Sequence, residues 1–199
     1  MRYLLGAFLA LGFVGFQTGC GPKVYTKGEY DDPNRVELLD DRYNEADMQQ
    51  MAKAVVNGLG GCKDVQNAKK TPLVIVERVE NRTEEHIDMV SLTNKIRTAM
   101  MKSGQFKFIN RKMRKTLEDE YAYNKSGAVA KAHMKKRGKQ LGADYILSGE
   151  MSTNIQEVGD RKLIYYKLTT QLTNLETSVI DCVEEKEVRK IYNKQRIGL

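Results

Sequence analysis

The chain has 199 residues, of which 33 are basic and 26 acidic, and its net charge is +7. Hydrophobic residues make up 41% of the chain and only three residues are proline, so the composition is that of a folded domain rather than of a disordered chain. Acidic and basic residues are mixed, and no basic cluster accompanies a readable nucleic-acid-binding motif, so nucleic acid is not an expected partner. Acidic protein surfaces or anionic lipid headgroups are the expected partners.

The first 21 residues resemble a secretory signal that ends in a lipobox. Arg2 precedes 13 uncharged residues, Leu4 to Phe16, and this run is shorter than the roughly 20 apolar residues that a bilayer-spanning helix needs. Gln17-Thr18-Gly19-Cys20 resembles the lipobox of bacterial lipoproteins, although Gln17 stands where leucine is usual. We therefore predict a signal peptide over residues 1–19 and lipidation of Cys20, for example with palmitate. The alternatives are an ordinary signal peptide with a chance cysteine, or a buried N-terminal helix.

Residues 20–43 are predicted to be the lipidated cysteine followed by a flexible tether. Glycine, proline and aspartate are frequent there and large apolar residues are few, so the segment buries too little surface to offset the entropy of ordering. A tether of about 23 residues reaches roughly 25 Å on average. A single globular domain is predicted over residues 44–199.

Hydrophobic periodicity predicts the order α-β-α-β-α-α-β-β-β within that domain. Asn44 is the expected cap of the first helix and Asp88 that of the second. The predicted helices span 44–59, 89–103, 111–121 and about 128–141, the last with a basic outer face, and the predicted strands span 71–79, 106–109, 144–157, 162–175 and 179–188. Three successive strands form a meander. The expected fold is therefore α/β (α+β), with a mixed sheet of about five strands that ends in a β-meander and has helices packed on it.

Two cysteines remain besides Cys20, namely Cys62 and Cys182. In an oxidising envelope two such thiols can form a disulfide. The alternative is that both are small buried apolar residues, since the sequence does not show whether their Cα atoms come close enough to be bridged.

The motifs of enzymes and metal sites are missing from the sequence. His86 and His133 lie in separate segments, and neither has a second ligand at metal spacing. The glycines around Leu59 follow a predicted helix, whereas a phosphate-binding loop follows a strand. Glu118, Asp119 and Glu120 diverge around a helix axis. We predict no catalytic residue, metal or cofactor, and keep an envelope enzyme as the least favoured alternative.

An ordered series of segments carries a resemblance to a known family. The segments are Val74–Thr83, Glu84–Asp88, Ser103–Phe108 with Arg111, Gly142–Gly149, Tyr166–Thr169, Leu172–Leu175 and Glu185–Lys190. Together they resemble the penicillin-binding-protein activator LpoB family over about residues 45–192. The tether lacks the long Pro/Gln-rich linker of enteric members.

The resemblance implies a periplasm-facing outer-membrane lipoprotein that binds and stimulates a class A penicillin-binding protein, a peptidoglycan synthase. It also implies a fold like the N-terminal domain of TolB. Segments similar to Gly142–Gly149 occur in lipoproteins of the curli secretion channel kind. A structural or secretion-associated outer-membrane lipoprotein is therefore the alternative.

The contact surface for such a partner is predicted where the first two strands end. If these strands run parallel, the residues that follow them lie at one edge of the sheet, where ligands of open α/β sheets often bind. The candidates are Asn81, Arg82, Thr83, Arg111, Lys112, Arg114 and Lys115. Arginine suits paired contacts with partner carboxylates, and the alternative is ordinary surface charge.

Overall fold

The computed structural model describes residues 28–38 and 40–194. The predicted signal peptide and the predicted lipidation of Cys20 lie outside these residues. The chain divides into two units, residues 1–33 and residues 34–199. All the helices and strands described below belong to the second unit.

Five strands form one mixed sheet in the order β2-β1-β3-β4-β5. The strands are β1 (Leu73–Arg82), β2 (Lys107–Phe108), β3 (Tyr145–Val158), β4 (Arg161–Asn174) and β5 (Ile180–Asn193). β1 runs parallel to β2 and β3, whereas the β3-β4 and β4-β5 pairs are antiparallel. The turn from β3 to β4 contains Gly159 at φ +59°, a conformation that suits glycine in a tight hairpin. The predicted mixed sheet with a terminal meander is confirmed.

Four α-helices lie in the described chain: α1 (Glu45–Gly61), α2 (Lys63–Gln66), α3 (Met89–Lys102) and α4 (Arg114–Lys125). Asn44 and Asp47 form a capping box at the start of α1, in which each side chain accepts a hydrogen bond from the backbone N–H of the other. The Asp88 carboxylate accepts hydrogen bonds from the N–H groups of Val90 and Ser91 at the start of α3. Both helices therefore begin where the sequence predicted.

The hydrophobic core lies between the sheet and the pair of helices α1 and α3. Burial alternates along β4, where Ile164, Tyr166, Leu168, Thr170 and Leu172 are buried and the residues between them are half-buried. The helices contribute fully buried side chains to the same cluster, among them Met51, Val55, Leu59, Leu92, Ile96 and Met100. Each such aliphatic side chain contributes about 1.5–3 kcal/mol of transfer free energy.

Cys62 and Cys182 are joined by a disulfide in the structure, with their Cα atoms 6.0 Å apart. Cys62 directly follows α1, and Cys182 lies in the edge strand β5. The bond therefore ties the end of a core helix to the edge of the sheet, across a sequence separation of 120 residues.

The predicted helix over residues 128–141 is wrong. That stretch contains only a short 3-10 turn, Lys131–His133, and Gly138 adopts φ +84°. The preceding helix, predicted over 111–121, is present as α4, but Met113 and Leu117 are exposed and Asn124 is the only buried residue of α4. A helix in water depends mainly on packing of an apolar face, and residues 128–141 bury no side chain.

Candidate functional site

A short segment before α1 lies across the ends of β4 and β5. We call Asp40–Tyr43 the N-terminal strap. Lys162 Nζ lies 2.6 Å from Asp41 Oδ2, and Lys190 Nζ donates a hydrogen bond to the Arg42 carbonyl at 2.7 Å. The Tyr192 hydroxyl donates to the Asp40 carbonyl. The sequence favoured a domain that begins at Asn44, whereas in the structure the strap is already bonded to the folded unit.

Glu85 connects the strap to the loop that follows β1, which we call the β1 loop (Thr83–Asp88). The Glu85 carboxylate accepts hydrogen bonds from the Tyr43 N–H at 3.0 Å and from the Tyr166 hydroxyl. Its backbone carbonyl accepts hydrogen bonds from Asn81 Nδ2 at 2.8 Å and Thr83 Oγ1 at 3.2 Å. Both the backbone and the side chain of Glu85 are thus held, which fixes the conformation of the β1 loop.

A buried ion pair lies behind the strap. Lys190 and Asp47 are paired, and their side chains are only 2% and 1% exposed. The Lys190 ammonium also lies 5.4 Å from the centre of the Tyr166 ring, close enough for a cation-π contact. A buried charge is costly unless it is paired and hydrogen-bonded, so the three partners of Lys190 keep its ammonium group in place.

Local interactions move the pKa values around the strap away from neutrality. Burial, followed by the hydrogen bond to Glu85, raises the pKa of Tyr166, and burial raises that of Tyr43. The hydrogen bond with Lys162 lowers the pKa of Asp41, while the same bond raises the pKa of Lys162. These four groups therefore keep one protonation state across the neutral range.

An open groove of about 600 Å³ lies between the strap and the β1 loop. Its lining includes Tyr43, Met48, Glu84, His86 and Ser91. The groove combines apolar, acidic and hydroxyl groups next to the residues predicted to contact a partner.

The structure places the predicted contact residues along β1 rather than at one point. β1 and β2 are parallel, which was the condition for the prediction. Arg82 pairs with Glu150 at 3.0 Å, whereas Arg111 pairs with Glu77 and donates to the Val76 carbonyl at 3.3 Å. Since Glu77 precedes Arg82 by five residues, the two contacts are separated by about 15 Å along the strand. Lys112 lies in the short 3-10 turn Arg111–Met113, Arg114 and Lys115 begin α4, and all three are exposed.

A possible ligand set for a metal occurs at the disulfide. Ligand atoms of Cys62, Asp64 and Cys182 lie within 4.8 Å of one another. Because the two sulfur atoms are bonded to each other, they are not thiolates and cannot act as the metal ligands that cysteine usually supplies.

The residues that form hydrogen bonds and ion pairs with the strap were not predicted from the sequence. Lys190 was one of these, because the predicted strand ended at Val188. Lys190 is separated by an even number of residues from Cys182 and Val188, and even-numbered residues of β5 point toward the core. A predicted strand extended by two residues would therefore have included Lys190 among the residues that face the core. No local signal marks the role of the Glu85 side chain, because the two partners of its carboxylate lie 42 and 81 residues away.

The family model described as "Peptidoglycan-synthase activator LpoB" matches residues 47–188, which run from α1 into β5. The chain belongs to the LpoB family. This family is one of synthase activators, and the resemblance drawn from the sequence is confirmed.

Several solved LpoB structures are similar to this chain. The C-terminal domain from Escherichia coli is 18% identical, with a TM-score of 0.46, and the match covers 72% of this chain and 98% of that one. The C-terminal domain from Salmonella enterica is 17% identical, with a TM-score of 0.45 and coverage of 71% and 97%. No curated protein sequence matches the chain. Among the described residues, no helix combines the length and apolarity needed to cross a bilayer.

Proposed function

We propose that this LpoB-family protein is a non-catalytic, periplasm-facing outer-membrane lipoprotein that binds and stimulates a class A penicillin-binding protein. The family match over residues 47–188 carries the proposal, because it spans the helices and strands that build the core. The sequence supports the anchoring, since Gln17–Cys20 resembles a lipobox and Gly21 is not the aspartate that retains enteric lipoproteins in the inner membrane.

An activator without chemistry of its own acts by binding one state of its enzyme more tightly than another. Such a protein needs a surface whose shape survives binding, because ordering a mobile loop at the interface reduces affinity. The β1 loop meets this requirement, since Glu85 holds it through hydrogen bonds to Asn81, Tyr43 and Tyr166. The disulfide and the buried Lys190–Asp47 pair further constrain the folded unit that carries this loop.

The proposal is tested by adding the protein to a class A penicillin-binding protein of the same organism. The mature chain with Cys20→Ala, exported through a non-lipoprotein signal peptide, removes the lipid and leaves the folded unit unchanged. We expect the rate of glycan polymerisation or peptide crosslinking to rise and to saturate with activator concentration. The effect weakens as salt screens charged contacts.

Two results would count against this function. Absence of both binding and stimulation with every class A synthase of the organism, at micromolar protein, would overturn the activator proposal. Detergent-resistant oligomers together with that negative result would favour the secretion-associated alternative.

We further propose that Asn81, Arg82, Thr83, Arg111, Lys112, Arg114 and Lys115 form the partner-binding surface. Arg82 and Arg111 are partly exposed and each pairs with one glutamate, and exposed pairs of this kind contribute at most about 1 kcal/mol to stability. Reversing both charges, Arg82→Glu with Arg111→Glu, is therefore expected to weaken binding while changing the thermal midpoint little.

The matched control reverses two exposed arginines on other strands, Arg161→Glu with Arg189→Glu. This control has the same net charge as the test variant. If both variants bind the synthase as the parent protein does, the interface lies elsewhere. Equal weakening in both would indicate long-range charge rather than contact.

A further inference from the structure

The segment from Arg111 to Leu141 carries the whole net charge of the chain. We call residues 111–141 the basic arm. It contains ten basic and three acidic residues, which gives +7, and the other 168 residues contain 23 of each sign and are neutral. Acidic and basic residues are mixed over most of the sequence, but the excess of positive charge is concentrated in this segment.

The cations of the basic arm are exposed, and most of them have no acidic partner among the residues that the structure describes. Arg111 pairs with Glu77 and Arg137 pairs with Glu118. No ion pair within the described ranges, 28–38 and 40–194, involves the other eight cations. These eight are Lys112, Arg114, Lys115, Lys125, Lys131, Lys135, Lys136 and Lys139, and all are exposed. Their charge is therefore available to an outside partner.

The basic arm is a helix with a return segment folded against it. The chain reverses after α4 at Gly127, which adopts φ +93°. Arg137 Nη2 lies 2.5 Å from Glu118 Oε2, and its guanidinium lies 5.5 Å from the centre of the Tyr121 ring. The Lys135 N–H donates to Asn124 Oδ1 at 3.3 Å. These contacts hold the return segment against residues 118–124 of α4. Arg137 also neutralises Glu118, one of the three acidic residues of the basic arm.

Apolar side chains accompany the cations on the outside of the basic arm. Met113 is 43% exposed, Leu117 40%, Tyr123 56% and Leu141 70%. None of these side chains belongs to the buried core. Cations interspersed with exposed apolar side chains are typical of protein segments that lie on a membrane surface.

We propose that the basic arm binds the surface of an anionic phospholipid bilayer. Its cations are spread along an exposed helix and its return segment, so they match a broad negative surface better than a small ligand with one or two charges. Lysine and arginine side chains near an anionic leaflet each add to the attraction, and the attraction falls off within a Debye length. The exposed Met113, Leu117 and Leu141 side chains can enter the boundary between headgroups and acyl chains. This proposal does not depend on the activator function.

The test measures binding to lipid vesicles by co-sedimentation. The protein is the mature chain with Cys20→Ala, so that no acyl chain contributes. The vesicles contain phosphatidylglycerol and phosphatidylcholine in equal parts, or phosphatidylcholine alone. We expect binding to the anionic vesicles, loss of that binding at high salt, and little binding to neutral vesicles.

A pair of variants separates the basic arm from charge in general. The arm variant replaces Lys125, Lys131, Lys135, Lys136 and Lys139 with glutamine. The matched control replaces five exposed lysines outside the arm with glutamine, namely Lys53, Lys63, Lys69, Lys70 and Lys95. We expect the arm variant to lose at least about 100-fold in vesicle affinity, because each lysine near the leaflet contributes severalfold. The control is expected to keep most of its affinity.

Three outcomes would overturn the proposal. They are absence of binding to anionic vesicles, binding that high salt does not weaken, and equal loss in the two variants. The first outcome would point instead to an acidic protein as the occupant of the arm. Because the arm variant leaves the proposed synthase contacts intact, its stimulation of the synthase in solution is expected to be unchanged. Failure of lipid binding can therefore be told apart from failure of the activator function.

Discussion

At the scale of single residues, the stability of the fold depends strongly on the buried pair of Asp47 and Lys190. Asp47→Ala leaves the ammonium of Lys190 buried beside Tyr166 without its carboxylate, and breaking a buried pair in this way typically costs about 3–5 kcal/mol. We expect the free energy of unfolding, measured with denaturant, to fall by that amount. The surface variant Asp41→Ala, which removes the partner of Lys162, is expected to cost less than about 1 kcal/mol.

A double-mutant cycle tests whether the cost arises from the pair. In the double variant Asp47→Ala with Lys190→Met no charge is left unpaired, so its destabilisation is expected to be smaller than the sum of the two single values. Additive effects of the two substitutions would show that Asp47 acts mainly through its capping box at the start of α1.

Gly149 is a second residue at which a single added atom is expected to destabilise the fold. A Cβ added there would lie 2.5 Å from the Thr169 carbonyl oxygen on the neighbouring strand, and that backbone cannot move without disturbing the centre of the sheet. We expect Gly149→Ala to lower the free energy of unfolding by about 1–3 kcal/mol. Gly142→Ala is the matched control, since a Cβ at Gly142 meets no atom within 4 Å. Similar midpoints for the two variants would contradict this explanation.

At the scale of elements, the disulfide joins parts of the fold that are distant in sequence. Because Cys62 and Cys182 are 120 residues apart, the chain-entropy estimate for the stability lost on removing the bond is about 4–5 kcal/mol. We expect the double variant Cys62→Ala with Cys182→Ala to lose stability of that order. The mature Cys20→Ala protein, unfolded without reductant, is expected to show no free thiol in a titration. Two free thiols would refute the bond.

The sequence predicted those elements whose signals are local. The capping residues Asn44 and Asp88 marked the starts of α1 and α3, and the interval between the predicted strands 144–157 and 162–175 contains the turn between β3 and β4. Periodicity predicted α4 but failed for residues 128–141, because it shows that a face is apolar but not whether another element covers it. In the structure Met113 and Leu117 remain 43% and 40% exposed.

The candidate site could be predicted only in part, because many of its contacts join residues that are distant in sequence. The sequence indicated residues 81–83 and the cations after β2, and the parallel pairing of β1 with β2, on which that prediction depended, is present. The strap was not predicted, because its bonds run to Lys162, Lys190 and Tyr192, which lie 121 to 152 residues further along the chain. Its composition is that of a linker, and long-range bonds leave no mark in local composition.

At the scale of the whole molecule, the strap belongs to the folded unit rather than to the tether predicted before it. Because Asp40–Tyr43 are bonded to the fold, the tether predicted over residues 20–43 is shortened at its C-terminal end by these four residues. A lipid of two or three acyl chains would give a stable anchor, whereas the basic arm alone would give a reversible, salt-sensitive one.

The two modes of membrane attachment lead to a prediction for Cys20→Ala in cells. The parent protein is expected to incorporate radiolabelled palmitate and to remain with membranes washed at high salt. The Cys20→Ala protein is expected to incorporate none and to leave the membranes in that wash, because salt screens the remaining attraction of the arm. In a strain that lacks the parent protein, the Cys20→Ala protein is expected to restore function only poorly. Without the anchor, the tether no longer raises the local concentration of the protein near the synthase. Cys20→Ala protein with a cleaved signal that still resists the salt wash would show that Cys20 does not carry the anchor.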